Sequence, residues 1–442
     1  MRRRLPVAAA AIAGLAAAML SASAEPGPSA LPRSSAWLAR LPDGEVKRKF
    51  ILDCTGCHQL DEKIARPGGA SRTEPQWVEA VTRMLGYAGA TTSFPVMAAD
   101  RDAMATAGWL SRHLTGGAVP DVEVPLTAPA EVREYMLPMA GDLPHDVVVE
   151  PAGDVVITGM FSHRLFRLNP ESGALAEIAI PVEGANPRAI DRDASGRTWV
   201  VLGQPERLAM VEAGTRWRSW DVGMYPHSLA VAPDGKVWFN GHFTREPELI
   251  GYVDPARDTV VTYQVPPHPT MAKGPAGPIP YEIRAAPDGR IWLGELQGNR
   301  LVSLDPRSGR FRTYTMPTPH SGPRRFDVDA KGVLWIPAYA ANLLVRLDAA
   351  TGKFTEIPLP TKDALPYVAR VDPRDGAVWL GTAAADVLLR YRPAAGRFDV
   401  YRLPSRGALV RHLAVDPKSG AVWLAYGASP GIPARIARVT PR

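Results

Sequence analysis

The stretch YPHSLAVAPDGKVWF, residues 225–239, reads as two short strands joined by a tight glycine-containing turn. The same unit recurs as LPHDVVVEPAGDVVI (143–157), NPRAIDRDASGRTWV (186–200), IPYEIRAAPDGRIWL (279–293), GPRRFDVDAKGVLWI (322–336), LPYVARVDPRDGAVWL (365–380) and LVRHLAVDPKSGAVWL (409–424). Measured from His145, the copies follow at intervals of 43, 39, 54, 43, 43 and 44 residues. A period of this size built only from short strands is the signature of a β-propeller. The later half of each unit repeats too. LVSLDPRSGRFRTYTMP (301–317) and LVRLDAATGKFTEIPLP (344–360) read as a third strand, a turn and an outer fourth strand ending in proline. The last copy stops at ARIARVTPR (434–442) without a fourth strand, and an orphan strand, EVREYMLP (131–138), precedes the first. Pairing the two closes seven blades and removes the open sheet edges. Residues 131–442 are therefore expected to form one mainly β domain, a seven-bladed propeller clasped by its two chain ends.

The chain before the propeller has a different character. MRRRLPVAAAAIAGLAAAMLSASA (1–24) has a basic start, a short alanine-rich apolar run and small residues at Ala22 and Ala24. It reads as a secretory signal cleaved after Ala24, which implies a periplasmic or otherwise exported protein. The apolar run is short for a bilayer span, so no stable membrane span is expected after cleavage.

DCTGCHQL (53–60) holds the only two cysteines, Cys54 and Cys57, followed by His58. A zinc site needs further Cys or His ligands nearby, and a thioredoxin-like pair needs a βαβ setting; neither is present. Covalent haem c attachment uses the whole motif, with two thioethers and His58 as an iron ligand, and it agrees with export. The flanks, EVKRKFILDCTGCH (45–58), RTEPQWVEAVTRMLGYAG (72–89) and ADRDAMATAGWLSRHL (99–114), read as three helices. A small all-α cytochrome c domain is thus expected over 36–114, with one haem supplying much of its core. The Pro/Gly-rich residues 115–130 read as a linker.

Both halves resemble known families. The pattern Trp-x-x-x-Val-x-Arg-Met (Trp77–Met84) resembles the haem-binding domain of quinohaemoprotein amine dehydrogenases, which implies Met84 as the sixth iron ligand. FPVMAAD (94–100) resembles the ligand loop of class I cytochromes, which implies Met97 as the alternative. PHSLAVAPDGKVWFNG (226–241) and PYEIRAAPDGRIWLGELQGNRLVSLDPRSGRFRTYTMP (280–317) resemble the repeats of the streptogramin (virginiamycin B) lyase family, across residues 131–442. That resemblance implies metal-assisted elimination by a catalytic histidine with carboxylate-bound magnesium. Of the Trp-Phe-Thr-Glu blade ending of that family, only WLGE keeps the carboxylate, as Glu295. The others read WVVL, WFNG, WIPA, WLGT and WLAY, which argues against a carboxylate metal site.

Seven of the nine histidines lie in the propeller, all at strand ends or connections that share one face. His145, His227 and His412 start innermost strands, His163 and His242 follow second strands, and His268 and His320 lie between blades. Arg188, Arg324, Arg411, Tyr281, Glu282, Tyr339 and Tyr367 gather at the same upper face. Arginines beside imidazoles suit an anionic ligand. The expected substrate-binding set is His145, Arg188, Tyr281, Arg324, Tyr367 and Arg411, and the expected catalytic set is His227, His412 and Glu295. Geometry alone also allows a divalent cation held by His145, His227 and His412. The formal charge of +6 includes the signal arginines, and no basic run with interleaved aromatics supports nucleic-acid binding. Three functions follow in order of preference. The first is haem-dependent electron transfer, with a small anionic substrate or a redox partner protein bound at the upper face. The others are a lyase with an accessory haem module and a non-catalytic docking scaffold.

Overall fold

Short apolar runs punctuated by Asp/Gly turns cannot form helices of useful length, so each repeat folds as an antiparallel meander. The computed structural model describes residues 31–117, 119–139, 141–212, 215–244, 247–271, 277–427 and 433–442. The signal segment 1–24 lies outside the described residues, as do parts of the two long connections of the third repeat. Seven four-stranded sheets form. Blades 1 to 6 run over 144–179, 187–221, 226–264, 280–315, 327–358 and 366–402. Blade 7 combines Val410–Val415, Val422–Tyr426 and Arg435–Pro441 with Ala130–Met136, whose residues pair antiparallel from Ala130↔Pro441 to Met136↔Arg435. The expected clasp is thus the observed one.

The second strands carry the core. Trp199, Trp238, Trp292, Trp335, Trp379 and Trp423 occupy one register position in blades 2 to 7, and Val156 takes it in blade 1. All are buried between sheets. Each indole removes roughly 150–250 Å² from water, a gross gain of about 4–6 kcal/mol at ~25 cal/mol per Å².

Residues 34–113 form five helices: α1 (Ser34–Leu38), α2 (Glu45–Cys54), α3 (Glu62–Ala65), α4 (Glu74–Ala88) and α5 (Ala103–His113). Thr73 and Gln76 close a capping box on α4, and Asp102 caps α5 through Ala105 N. This helical domain sits on the upper face of the propeller. Its buried residues Trp37, Phe50, Ile51 and Leu52 share one apolar cluster with Tyr281, Leu296, Tyr339, Tyr367 and Leu409. Buried Lys47 pairs with Asp363 at 2.7 Å, Gln59 Nε2 donates to Ala383 O at 2.5 Å, and Arg48 Nε donates to Pro319 O at 2.7 Å. Gly322 has φ +67°, and a Cβ there would overlap Leu52 Cδ2, so glycine is what lets α2 seat.

The linker is docked along blade 6. Thr127 exchanges hydrogen bonds with the Val400 backbone, and Asp121 pairs with Arg33 at 2.5 Å and Arg406 at 2.9 Å. Among the described residues no helix is long and apolar enough to cross a membrane.

Candidate functional site

In six blades the first strand opens on a register shift directly after its first residue, which is proline in all but blade 7. Blade 5 opens instead on an isolated Pro323↔Ala338 bridge. A bulge re-aims the side chain beside it. The residue after that proline (after Val410 in blade 7) is His145, Arg188, His227, Tyr281, Arg324, Tyr367 or Arg411. All seven line one cavity of about 480 Å³ at the mouth of the channel. The helical domain roofs it with Leu52 and Asp53 from the end of α2, Gly56 and Cys57 from the cysteine loop, and Ser93, Phe94 and Val96 from the α4–α5 connection. Asn186, Tyr225, His242 and Phe243 complete the wall.

Three imidazoles in this cavity are neutral. His227 Nδ1–H donates to Tyr281 O at 2.9 Å and His242 Nδ1–H to Pro280 O at 2.8 Å, while His145 Nδ1 lies 2.7 Å from Asp146 Oδ1 and 3.2 Å from Arg325 Nη2. The first two rings then present Nε2 as an acceptor. Burial, with nearby guanidiniums, pushes His145 and His242 down to about 3 and His227 well below the ordinary histidine range. The rings of His227 and His242 stack at 4.3 Å.

The three arginines carry the charge. Arg188 leans over Tyr225 at 5.0 Å and donates from Nε to Asn186 Oδ1 at 3.2 Å. The Arg324 guanidinium lies 4.0 Å from the Tyr339 ring, 4.1 Å from the Tyr367 ring and 5.1 Å from the Tyr281 ring, three cation–π contacts. Its Nε and Nη1 have no hydrogen-bond partner, and Nη2 lies against Gly56, where a Cβ would overlap it. Arg411 donates to the backbone oxygens of Gly56 (3.2 Å) and Cys57 (2.7 Å) and to Tyr367 Oη (3.3 Å). Tyr281 and Tyr367 share a 2.6 Å hydrogen bond. Burial opposes ionisation of Tyr367, but Arg324, Arg411 and Arg325 outweigh it and bring its pKa down to about 8. Tyr281 is displaced upward by burial.

Two expected catalytic residues stand elsewhere. His412 is the neighbour of ring residue Arg411 and belongs to the layer beneath, where Nδ1 accepts from Val147 N at 3.2 Å and Nε2 lies 3.5 Å from Asp146. Glu295 is buried against Arg300 Nε at 2.5 Å, with Glu248 3.7 Å from the same guanidinium, and it does not reach the cavity. Burial raises the Glu295 pKa to about 7, and burial with Glu295 raises Glu248 to about 9. Among the described residues no group of three or more His, Cys, Asp or Glu is arranged to hold a metal ion. The arrangement His145, His227 and His412 is thus not assembled.

On the far side of the cysteine loop a second groove opens, lined by Cys54, His58, Met84 and Met97 with Phe50, Leu60, Trp77, Val81 and Leu110. Cys54 and Cys57 are not bonded to each other, and Cys57 is exposed on the cavity side. Burial pushes the Cys54 thiol up to about 12. His58 Nδ1–H donates to Gln59 O at 3.1 Å, which leaves Nε2 as its lone-pair nitrogen.

Sequence reasoning missed the roof. Phe94, Val96 and Gly56 reach the cavity only through domain docking, for which a period in the blades carries no signal. Tyr225 and Asn186 were findable, since each directly precedes the proline of a repeat.

With this geometry in hand, comparison with known proteins defines the class of the propeller. The sequence model of the virginiamycin B lyase family matches residues 268–441, the last four blades. The virginiamycin B lyase of Staphylococcus aureus is 20% identical over 71% of this chain and 99% of its own, with a TM-score of 0.62. A streptogramin B lyase is 19% identical over 71% and 98%, at 0.63. Hydrazine synthase of Kuenenia stuttgartiensis is 16% identical over 70% and 97%, at 0.53. No curated protein sequence matches the chain. At these identities the likeness is one of fold alone.

Proposed function

We propose that the chain is an exported c-type haem protein for one-electron transfer, whose propeller binds a small anionic substrate in the roofed cavity. The observation that carries this reading is that the CxxCH loop is a shared wall. Cys54 and His58 face the groove, while Gly56 and Cys57 face the cavity of three arginines. The groove offers donors that fit a covalent haem: the free thiol of Cys54, with free Cys57 on the cavity side of the same loop, an imidazole oriented through Nδ1, and two thioethers, in a lining that is apolar apart from Arg72 and Arg83. Cys54 and Cys57 would hold it covalently, His58 would be one axial ligand and Met84 the other, with Met97 as alternative. Bound there, haem supplies one-electron transfer at neutral pH.

The protein's own part is orientation and exclusion of water. Arg188, Arg324 and Arg411 would draw in the anion, His227 and His242 would accept hydrogen bonds from its hydroxyl or amine groups, and Phe94 and Val96 would close the roof. The test is absorbance of oxidised holo-protein during addition of pools of small anionic metabolites. Haem reduction that His227→Ala and Arg324→Ala abolish is the expected result. No reduction by any pool, with normal reduction by dithionite, would overturn the substrate reading. A redox partner protein in place of the small substrate is then the reading to test.

A second reading is favoured by the family model over the last four blades: a C–O lyase using the same cavity, with the haem as an accessory module. Glu295 cannot serve it from its place beside Arg300, so His227 would be left as the catalytic base. Elimination products formed without haem reduction would identify this activity.

A further inference from the structure

Among the described residues the two buried cations nearest the cysteine loop have no countercharge. Arg324 is 3% exposed, and its Nε and Nη1 are without hydrogen-bond partners. Arg411 Nε is likewise without one, and its other nitrogens reach only neutral oxygens. The cavity contains one carboxylate, Asp53, and it is already committed to Arg101 at 2.5 Å, Ala98 N and Gln297 Nε2. A buried guanidinium is costly unless paired, and tyrosine faces compensate only part of that cost. The cavity therefore has an anion-shaped deficit at a defined place, against the backbone of Gly56 and Cys57.

We infer that Arg324 and Arg411 form a carboxylate subsite whose occupancy is thermodynamically linked to the redox state of the group carried by the cysteine loop. This rests on the haem reading above and deepens it. Reduction adds one electron beside two fixed cations, so the vacant subsite favours the reduced state and raises the potential. A bound carboxylate cancels part of that field and lowers the potential. Linkage is reciprocal, so the oxidised protein must hold the carboxylate more tightly than the reduced protein by the same factor. A tenfold preference corresponds to about 59 mV for one electron.

The experiment is a redox titration of holo-protein with and without saturating benzoate, a planar carboxylate, at constant ionic strength set with chloride. Arg324→Gln, Arg411→Gln and Arg324→Lys accompany the parent chain. A saturable fall in midpoint potential of the parent, with about tenfold tighter benzoate binding to the oxidised form, is expected. Arg324→Gln and Arg411→Gln should start from a lower potential and respond little, and Arg324→Lys should keep part of the response. An unmoved potential in a haem-loaded parent would overturn the inference while leaving the haem reading in place. An equal shift in parent and Gln variants would also overturn it, because the anion would then act elsewhere. A chain that purifies from haem-competent cells without covalent haem would take down both.

Discussion

The mouth of the propeller channel and the layer directly beneath it are built from residues one to three places apart in the same first-strand segments, yet they treat charge in opposite ways. The upper ring holds Arg188, Arg324 and Arg411 with tyrosines and neutral imidazoles and no carboxylate. The lower layer is compensated: Arg325 meets Asp146 at 2.7 Å and Glu282 at 4.0 Å, and Arg284 and Arg370 meet Glu282 at 2.8 and 3.2 Å. A network of mutually paired charges ties blades 1, 4, 5 and 6 together. A ring left open to its own field is suited to a ligand. The lesson is that one-residue steps within a repeat separate a structural layer from a binding layer.

The largest effect should come from breaking the lower layer. Arg325→Met leaves Asp146 and Glu282 buried with fewer partners, and its expected cost is about 3–5 kcal/mol in denaturant unfolding. Arg324→Met in the upper ring should stay within about 1 kcal/mol of the parent, since it removes cation–π contacts together with an uncompensated charge. Equal losses in the two variants would erase the distinction between the layers.

Acid should act on the imidazoles of the cavity. His145 and His242 have folded-state pKa values of about 3 against an ordinary 6.5. Their contribution to stability is whole above pH 6.5 and declines as pH falls toward 3, because unfolding takes up about two protons across that window. His242→Gln should flatten the pH dependence of the melting temperature on the acid side. An unchanged slope would show that these rings are already charged or already wet.

Much of this was legible in the repeats, because a period exposes equivalent positions. Aligning NPRAI, YPHSL, IPYEI, GPRRF, LPYVA, LPHDV and LVRHL places Arg188, His227, Tyr281, Arg324, Tyr367, His145 and Arg411 in one column, and the structure sets that column around one cavity. His412 was assigned to the same face although it stands in the next column, where its side chain meets Asp146 of the lower layer. Glu295 ends a second strand at the right height, but its partner Arg300 is in the third strand, so it pairs within its own blade. Which residues form the roof was not legible. Docking of the helical domain depends on Gly322 beneath Leu52 and Gly56 beside Arg324, contacts between residues some 270 positions apart that no local pattern announces.

The glycine of the cysteine motif offers a sharper test of how the upper ring meets its roof. Gly56→Ala places a methyl on Arg324 Nη2, the end of a long side chain pinned between two rings. Overpacking of this kind costs about 1–3 kcal/mol. Paired with Arg324→Ala in a double-mutant cycle, the two changes should be strongly non-additive, the second relieving the first. Additive costs would mean that the guanidinium can leave its slot freely, and the roof would then be a loose lid.

The smallest and most specific effect is spectroscopic. Tyr281 and Tyr367 share one hydrogen bond and so titrate as a pair, with one ionisation early and one late. The early one belongs chiefly to Tyr367, at about 8, because Arg324, Arg411 and Arg325 overcome its burial. The depressed pKa adds stability that is present above pH 10 and lost as pH falls through about 8, so at neutral pH it contributes nothing. A tyrosinate absorbance step near pH 8 is expected in the folded chain and should vanish in Tyr367→Phe. Arg324→Gln should move it upward, because a cation that favoured the phenolate is gone. Arg325→Met should move it less, since Arg325 ranks behind Arg324 and Arg411 among the cations acting on this phenol. If instead the step stays at pH 8 without Arg324, the field of the upper ring is screened by water, and the open layer would be as compensated as the one below it.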